Sequence, residues 1–176
     1  YALMKEYYPE HYQQLKDYIA QGRWNVTGSS WDAGDVNIPS SEAVMRNILY
    51  GNEYFKKEFG KTSVDIFLPD CFGFGYALPS IAAHMGLKGF SSQKLSWGSA
   101  YGVPFDIGRW YGVDGNYILA ALKPGNYTSS ISRSLSSSGS SWVTRVNDNG
   151  NNYGLNAAYM YYGTGDTGGS PTDGSV

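Results

Sequence analysis

Asp65-Ile66-Phe67-Leu68-Pro69-Asp70-Cys71-Phe72-Gly73-Phe74-Gly75 runs from a short apolar stretch straight into a carboxylate and a glycine-flanked turn. Ile66, Phe67 and Leu68 read as a short buried strand. Pro69 has no N–H to give to a sheet ladder, so the strand should end there and leave Asp70 at its C-terminal tip. Leu78, Ile81, Ala82 and Met85 then recur at helical spacing, with Pro79 suited to the first turn and Gly86 to the stop. A strand, a carboxylate at its tip and a following helix is how α/β folds place reactive groups. By itself the spacing also allows Asp70 simply to cap the turn.

Working outward, Tyr8, Tyr12, Leu15 and Ile19 repeat at helical spacing around Pro9, with Gly22 as the stop. Trp24 to Ser30 reads as a strand, followed by a loop through Trp31, Asp35 and Asn37. Ser40 can cap the next helix, Glu42 suits its first turn, and Val44, Ile48, Phe55 and Phe59 line it up to Gly60. Gly89 to Ser92 reads as a short strand leading into Gln93 and Lys94. Phe105 to Tyr111 and Tyr117 to Leu122 flank Asp114-Gly115, a hairpin turn. Thr128 to Ser141 is serine-rich and reads as an exposed loop, and Ala157 to Tyr162 as a last strand before a glycine-rich segment. Alternating helix and strand argues for an α/β fold built of parallel βα units, with the hairpin as an excursion.

The chain has 176 residues, enough for one domain with a substantial core. Its 13 basic and 15 acidic side chains give a net charge of −2, which is no electrostatic footprint for nucleic acid or an anionic membrane. No apolar run approaches the ~18 residues of a membrane span. The lone Cys71 excludes an internal disulfide and a cysteine zinc cluster, and reads as a small half-buried side chain. His11 and His84 both fall on predicted helices without metal-ligand spacing to another histidine or cysteine. Many glycines and aromatics suit both a sugar-stacking site and an ordinary aromatic core.

Four further stretches stand in order around the Asp70 segment: Gly22-Arg23-Trp24, then Pro39-Ser40-Ser41-Glu42 running to Leu49-Tyr50-Gly51, then Gln93-Lys94-Leu95-Ser96-Trp97, and Gly163-Thr164-Gly165-Asp166-Thr167-Gly168-Gly169. In order and spacing the chain resembles the catalytic domain of glycoside hydrolase family 38, the retaining α-mannosidases, and in particular its bacterial branch. The resemblance covers nearly the whole chain and is weakest from Thr128 to Ser141. It implies a distorted seven-unit (β/α) barrel, of which residues 1–176 would be the central part, since a barrel of this kind needs on the order of 250 residues. It also implies a zinc ion. The family's upstream His-x-Asp motif, its later zinc-binding histidine and its C-terminal β-rich domains have no match here, so the remainder of a parent polypeptide is expected to supply them. The isolated chain is accordingly expected to be inactive.

Retaining glycoside hydrolysis uses two carboxyl groups about 5–5.5 Å apart, one as nucleophile and one as acid/base. By resemblance Asp70 matches the nucleophile, which is also a zinc ligand in the family, and Asp166 the acid/base position. Where the family motif has a longer glycine run, this chain has Thr167 and Ser170. Asp35 and Asn37 match a family loop. Trp31 is a candidate sugar-stacking platform, Asp35 a candidate hydroxyl ligand, Lys94 a candidate charge beside Asp70 or the sugar, and Trp97 a candidate pocket wall. The bland readings are an Asx turn for Trp31 and Asp35, a solvated lysine for Lys94 and a core tryptophan for Trp97. Phe72 reads as packing behind the nucleophile.

Gly163, Gly165 and Gly168 also spell G-x-G-x-x-G, but Pro171 stands where a helix should open over a pyrophosphate. The function that the resemblance implies is hydrolysis of terminal α-mannosides in a glycan. The alternatives are an inactive carbohydrate-binding remnant and a family member acting on another glycoside.

Overall fold

A computed structural model describes residues 1–96, 101–130, 141–167 and 169–170. Helices α1 (Ala2–Tyr7) and α2 (Pro9–Ala20) meet at Tyr8, with Pro9 in the first turn of α2 where no amide donor is needed. Tyr12, Leu15 and Ile19 of α2 form a satellite core with Val26 and Phe55. Helix α3 (Ser41–Phe59) begins where the Ser40 hydroxyl accepts the Ala43 amide and ends at Gly60, whose φ of 66° few other residues tolerate. Val44 and Ile48 face the main core while Phe55 faces the satellite one, so α3 joins the two.

The main core lies on a four-stranded sheet in the order β1-β2-β4-β3: β1 (Asp65–Phe67), β2 (Gly89–Ser91), β3 (Ile107–Tyr111) and β4 (Tyr117–Ala121). β1 and β2 run parallel with α4 (Leu78–His84) between them in sequence, and β2 also runs parallel to β4. Ile66, Phe90, Ile118 and Ala120 bury one face of the sheet with Leu78 and Ala82 of α4. Phe74 and Trp110 meet Phe90 edge-on at 5.1 and 5.0 Å, an arrangement that suits the ring quadrupoles. Burial of a side chain such as Ile66 stabilises by about 1.5–3 kcal/mol.

β3 and β4 form the antiparallel hairpin expected around Asp114-Gly115. The Asp114 carboxylate accepts the Asn116 backbone and side-chain amides and the Ser80 hydroxyl, and pairs with His84 at 2.8 Å. Those bonds pin the hairpin tip to α4 and hold the Asp114 carboxyl well below the usual carboxylate range, the Asn116 side chain contributing most.

Two expected strands are corrected. Trp24 to Ser30 is not a strand: its polar groups go to a side chain and to local partners, with the Gly28 amide on the Asp65 carboxylate at 3.1 Å. Ala157 to Tyr162 is not a strand either, and the Tyr161 amide reaches the Pro124 carbonyl instead. Helix α5 (Ser141–Tyr153) forms where no helix is expected; its buried Asn149 amide donates to the Ala157 carbonyl at 2.7 Å. The fold is α/β with a small mixed sheet, and among the described residues the sheet does not close into a barrel. Of the Thr128–Ser141 loop, residues 131–140 lie outside the described residues.

Candidate active site

The parallel register sets the site. Phe67 pairs with Ser91. Beyond that pair the Leu68 amide bonds the Ser91 carbonyl and the Gln93 amide bonds the Pro69 carbonyl, at 3.1 and 3.3 Å. Proline at position 69 removes a donor but keeps its acceptor, so the two strand ends stay side by side for one residue more. Carrying the register forward places Asp70 opposite Lys94, and their side chains meet: Nζ of Lys94 lies 2.7 Å from Oδ1 of Asp70.

The pair is asymmetric. The Lys94 side chain is 4% exposed and that of Asp70 62%. The ammonium sits 5.2 Å from the ring centres of both Phe72 and Tyr127, within cation–π range. Its bond to Asp70 raises the Lys94 pKa against the opposing effect of burial. The cation is thus held under the aromatic rings while the carboxylate faces outward.

The loop carrying Asp35 closes against the loop after Asp70. Val36 and Phe74 form a parallel bridge, and the Cys71 thiol donates to the Gly34 carbonyl at 3.2 Å. Gly73 has φ of 90°, and a Cβ there would stand 3.2 Å from the Asn37 amide, so both conformation and space favour glycine. Asp35 Oδ1 accepts the Asn37 and Ile38 amides at 2.7 and 3.2 Å, an Asx turn that fixes the carboxylate. Asp35, Asp70, Cys71 and Phe72 line one cavity of about 380 Å³. Burial, then the Asp35 and Asp70 charges, push the Cys71 thiol pKa up, which makes it a poor nucleophile.

Asp166 lies in an exposed segment with φ of 61°, a left-handed conformation that aspartate tolerates better than most residues. The Gly163 amide bonds the Ser129 carbonyl at 2.9 Å. Gly165 packs so tightly on the Tyr127 ring that a Cβ would overlap it. A chain of contacts through Gly165, Tyr127 and Lys94 links the Asp166 segment to Asp70. Trp31 goes elsewhere: its ring meets Tyr54 edge-on at 5.4 Å and lines a separate depression with Tyr50, Glu53 and Lys57 of α3. Trp97 lies outside the described residues.

Tyr127, which the sequence reading does not single out as a site residue, and Gln93, which it places only within a family stretch, complete the site. The buried Gln93 side chain accepts the Tyr127 amide at 2.7 Å. Tyr127 lies in the segment after β4, the neighbour of β2, six residues beyond the strand end, too far for the strand-tip rule that marks Asp70. Among the described residues no three His, Cys, Asp or Glu side chains are grouped so that they could hold a metal ion, although Asp35, Asp70 and Cys71 share a cavity. These residues alone therefore do not fit a zinc ion, which takes at least three protein ligands.

Residues 1–175 match the glycosyl hydrolases family 38 N-terminal domain. The chain belongs to glycoside hydrolase family 38. It is 38% identical over 176 residues to α-mannosidase G of Dictyostelium discoideum, covering 98% of this chain and 15% of that protein. It is 34% identical over 169 residues to α-mannosidase 2C1 of Mus musculus, covering 96% of this chain and 16% of that one. The likeness thus extends to eukaryotic proteins, and the family 38 chain spans about a sixth of these relatives. The crystal structure of an α-mannosidase from Enterococcus faecalis V583 shares the fold, with a TM-score of 0.65 and 21% identity over 90% of this chain and 18% of that chain. No helix among the described residues is long and apolar enough to cross a membrane.

Proposed function

We propose that the chain is the central part of an α-mannosidase catalytic domain that hydrolyses terminal α-mannosides with retention. The observation that carries this reading is the outward-facing Asp70 carboxylate, at the tip of β1, held by the buried Lys94 at the tip of β2. Asp70 would attack the anomeric carbon while Asp166 protonates the leaving oxygen, giving a covalent glycosyl-enzyme. Asp166 would then take a proton from water, whose oxygen attacks the same carbon and releases Asp70. An ionised carboxylate has about four acceptor sites, and the bond from Lys94 takes one, so Asp70 keeps lone pairs for the reaction.

Asp35, in the same cavity, would hold a sugar hydroxyl. A zinc ion, implied by family likeness, would take an oxygen of Asp70 and needs further donors that the described residues do not bring there. The remainder of a parent polypeptide would supply them, together with the rest of a seven-unit barrel, and the isolated chain would be inactive.

The test is hydrolysis of an aryl α-mannoside by the intact parent protein beside its Asp70→Asn variant. Loss of turnover by orders of magnitude in the variant is expected. A folded, zinc-loaded parent without activity would refute the reading, and an Asp70→Asn variant that still binds mannoside in that case would identify a carbohydrate-binding remnant.

A further inference from the structure

We propose that the Tyr127 ring is a positioning element that ties the segment carrying Asp166 to the Lys94–Asp70 pair. This deepens the glycosidase reading above and rests on it for its catalytic consequence. The ring has the Lys94 ammonium 5.2 Å from its centre. Its Cε2 and Cδ2 atoms are the ring atoms nearest the space beside Gly165, the residue before Asp166. Its backbone is fixed independently, because the Tyr127 amide donates to Oε1 of the buried Gln93. Gln93 in turn bonds the Pro69 carbonyl, one residue before Asp70.

The tips of β1 and β2 and the segment after β4 thus converge on one aromatic ring. The ring acts on neither substrate nor proton. It fixes where the ammonium stands against Asp70 and how closely the 163–166 segment approaches. In a two-carboxylate glycosidase that separation is the quantity that matters, since about 5–5.5 Å supports retention and about 6.5–9.5 Å inversion. The glycine at 165 is explained by the same contact: any side chain there displaces the ring or the segment. The hydroxyl also hydrogen-bonds the Lys94 side chain, but the glycine contact and the cation–π attraction use the ring alone and are kept in Tyr127→Phe.

The test uses the parent protein and its Tyr127→Leu, Tyr127→Phe and Gly165→Ala variants, with aryl α-mannoside kinetics and crystal structures of each. Tyr127→Leu should lower kcat about tenfold with KM changed less than about twofold, whereas Tyr127→Phe should restore kcat to within about threefold of the parent. Gly165→Ala should lower kcat from the other side of the ring. The Lys94–Asp70 contact, 2.7 Å here, should persist with Phe and lengthen with Leu. Unchanged kcat and an unchanged contact in Tyr127→Leu would overturn the proposal, as would Tyr127→Phe being impaired as severely as Leu. If the parent hydrolyses no mannoside, the mannosidase reading falls, and the Lys94–Asp70 contact in the variant structures decides the role of Tyr127 by itself.

Discussion

Replacing Gly51 by alanine reverses a familiar sign. In an exposed helix interior Gly→Ala gains about 1 kcal/mol, because glycine loses more backbone freedom on ordering. Gly51 lies inside α3 and is buried. A Cβ there would overlap the Ser29 carbonyl oxygen and stand 2.6 Å from the Ser30 carbonyl carbon and 2.7 Å from the Trp31 nitrogen. All three are backbone atoms, so no side chain can rotate aside. The segment is also tied to α3 by the Trp31 amide on the Asn47 carbonyl at 2.9 Å. Overpacking costs about 1–3 kcal/mol, and the upper end applies against unyielding backbone. Subtracting the propensity gain leaves a net loss of about 2 kcal/mol. With a urea m-value of about 2 kcal/mol/M, the unfolding midpoint should fall by about 1 M, followed by tryptophan fluorescence. The displaced segment leads into the loop bearing Asp35, so the same change should loosen that side of the cavity. A Gly51→Ala chain as stable as the parent, or more so, would refute the close approach of α3 to residues 29–31.

Ile66→Ala removes a side chain that is 1% exposed at the centre of the main core, and should cost about 2–5 kcal/mol by urea unfolding. Asp114 gives a pH signature. Its folded-state pKa is depressed, so its contribution is present above the ordinary carboxylate value of 3.8 and is lost as pH falls below it. The difference in urea midpoint between the parent and Asp114→Ala should therefore narrow from pH 5 to pH 3; a constant difference would show that the bonds to Asn116, Ser80 and His84 do not set that pKa.

Local signals were readable where one interaction decides an element. Ser40 and Gly60 bound α3, Asp114-Gly115 turns the hairpin, and Pro69 leaves Asp70 at a strand tip. The failures share another cause. Val26 and Thr27 favour extended backbone, yet a strand needs a neighbour's ladder, and the Gly28 amide finds the Asp65 side chain instead. Asn147, Asn149, Gly150, Asn151 and Asn152 are poor helix formers, but α5 forms with Asn149 buried against the Ala157 carbonyl, so tertiary contact overrides propensity. At the site, the sequence already offers Lys94 as a candidate charge beside Asp70; what the parallel register adds is that the two stand directly opposite each other. Trp31 has the chemistry of a sugar platform, and its contact with Tyr54 on α3 places it in a depression apart from the Asp35–Asp70 cavity.

The mixed pairing of the sheet also orders its assembly in time. The β3–β4 hairpin closes through a short local turn, an event of about 1–10 μs. The β1–β2 and β2–β4 ladders join segments distant in sequence and must first meet the entropy of closing those long loops. Among the described residues β2 pairs only with these two strands, and local closure favours its docking onto a formed hairpin over the reverse order. The juxtaposition of Asp70 with Lys94 is then among the late events of folding, and a slow folding phase should report on the reactive carboxylate as directly as on the core.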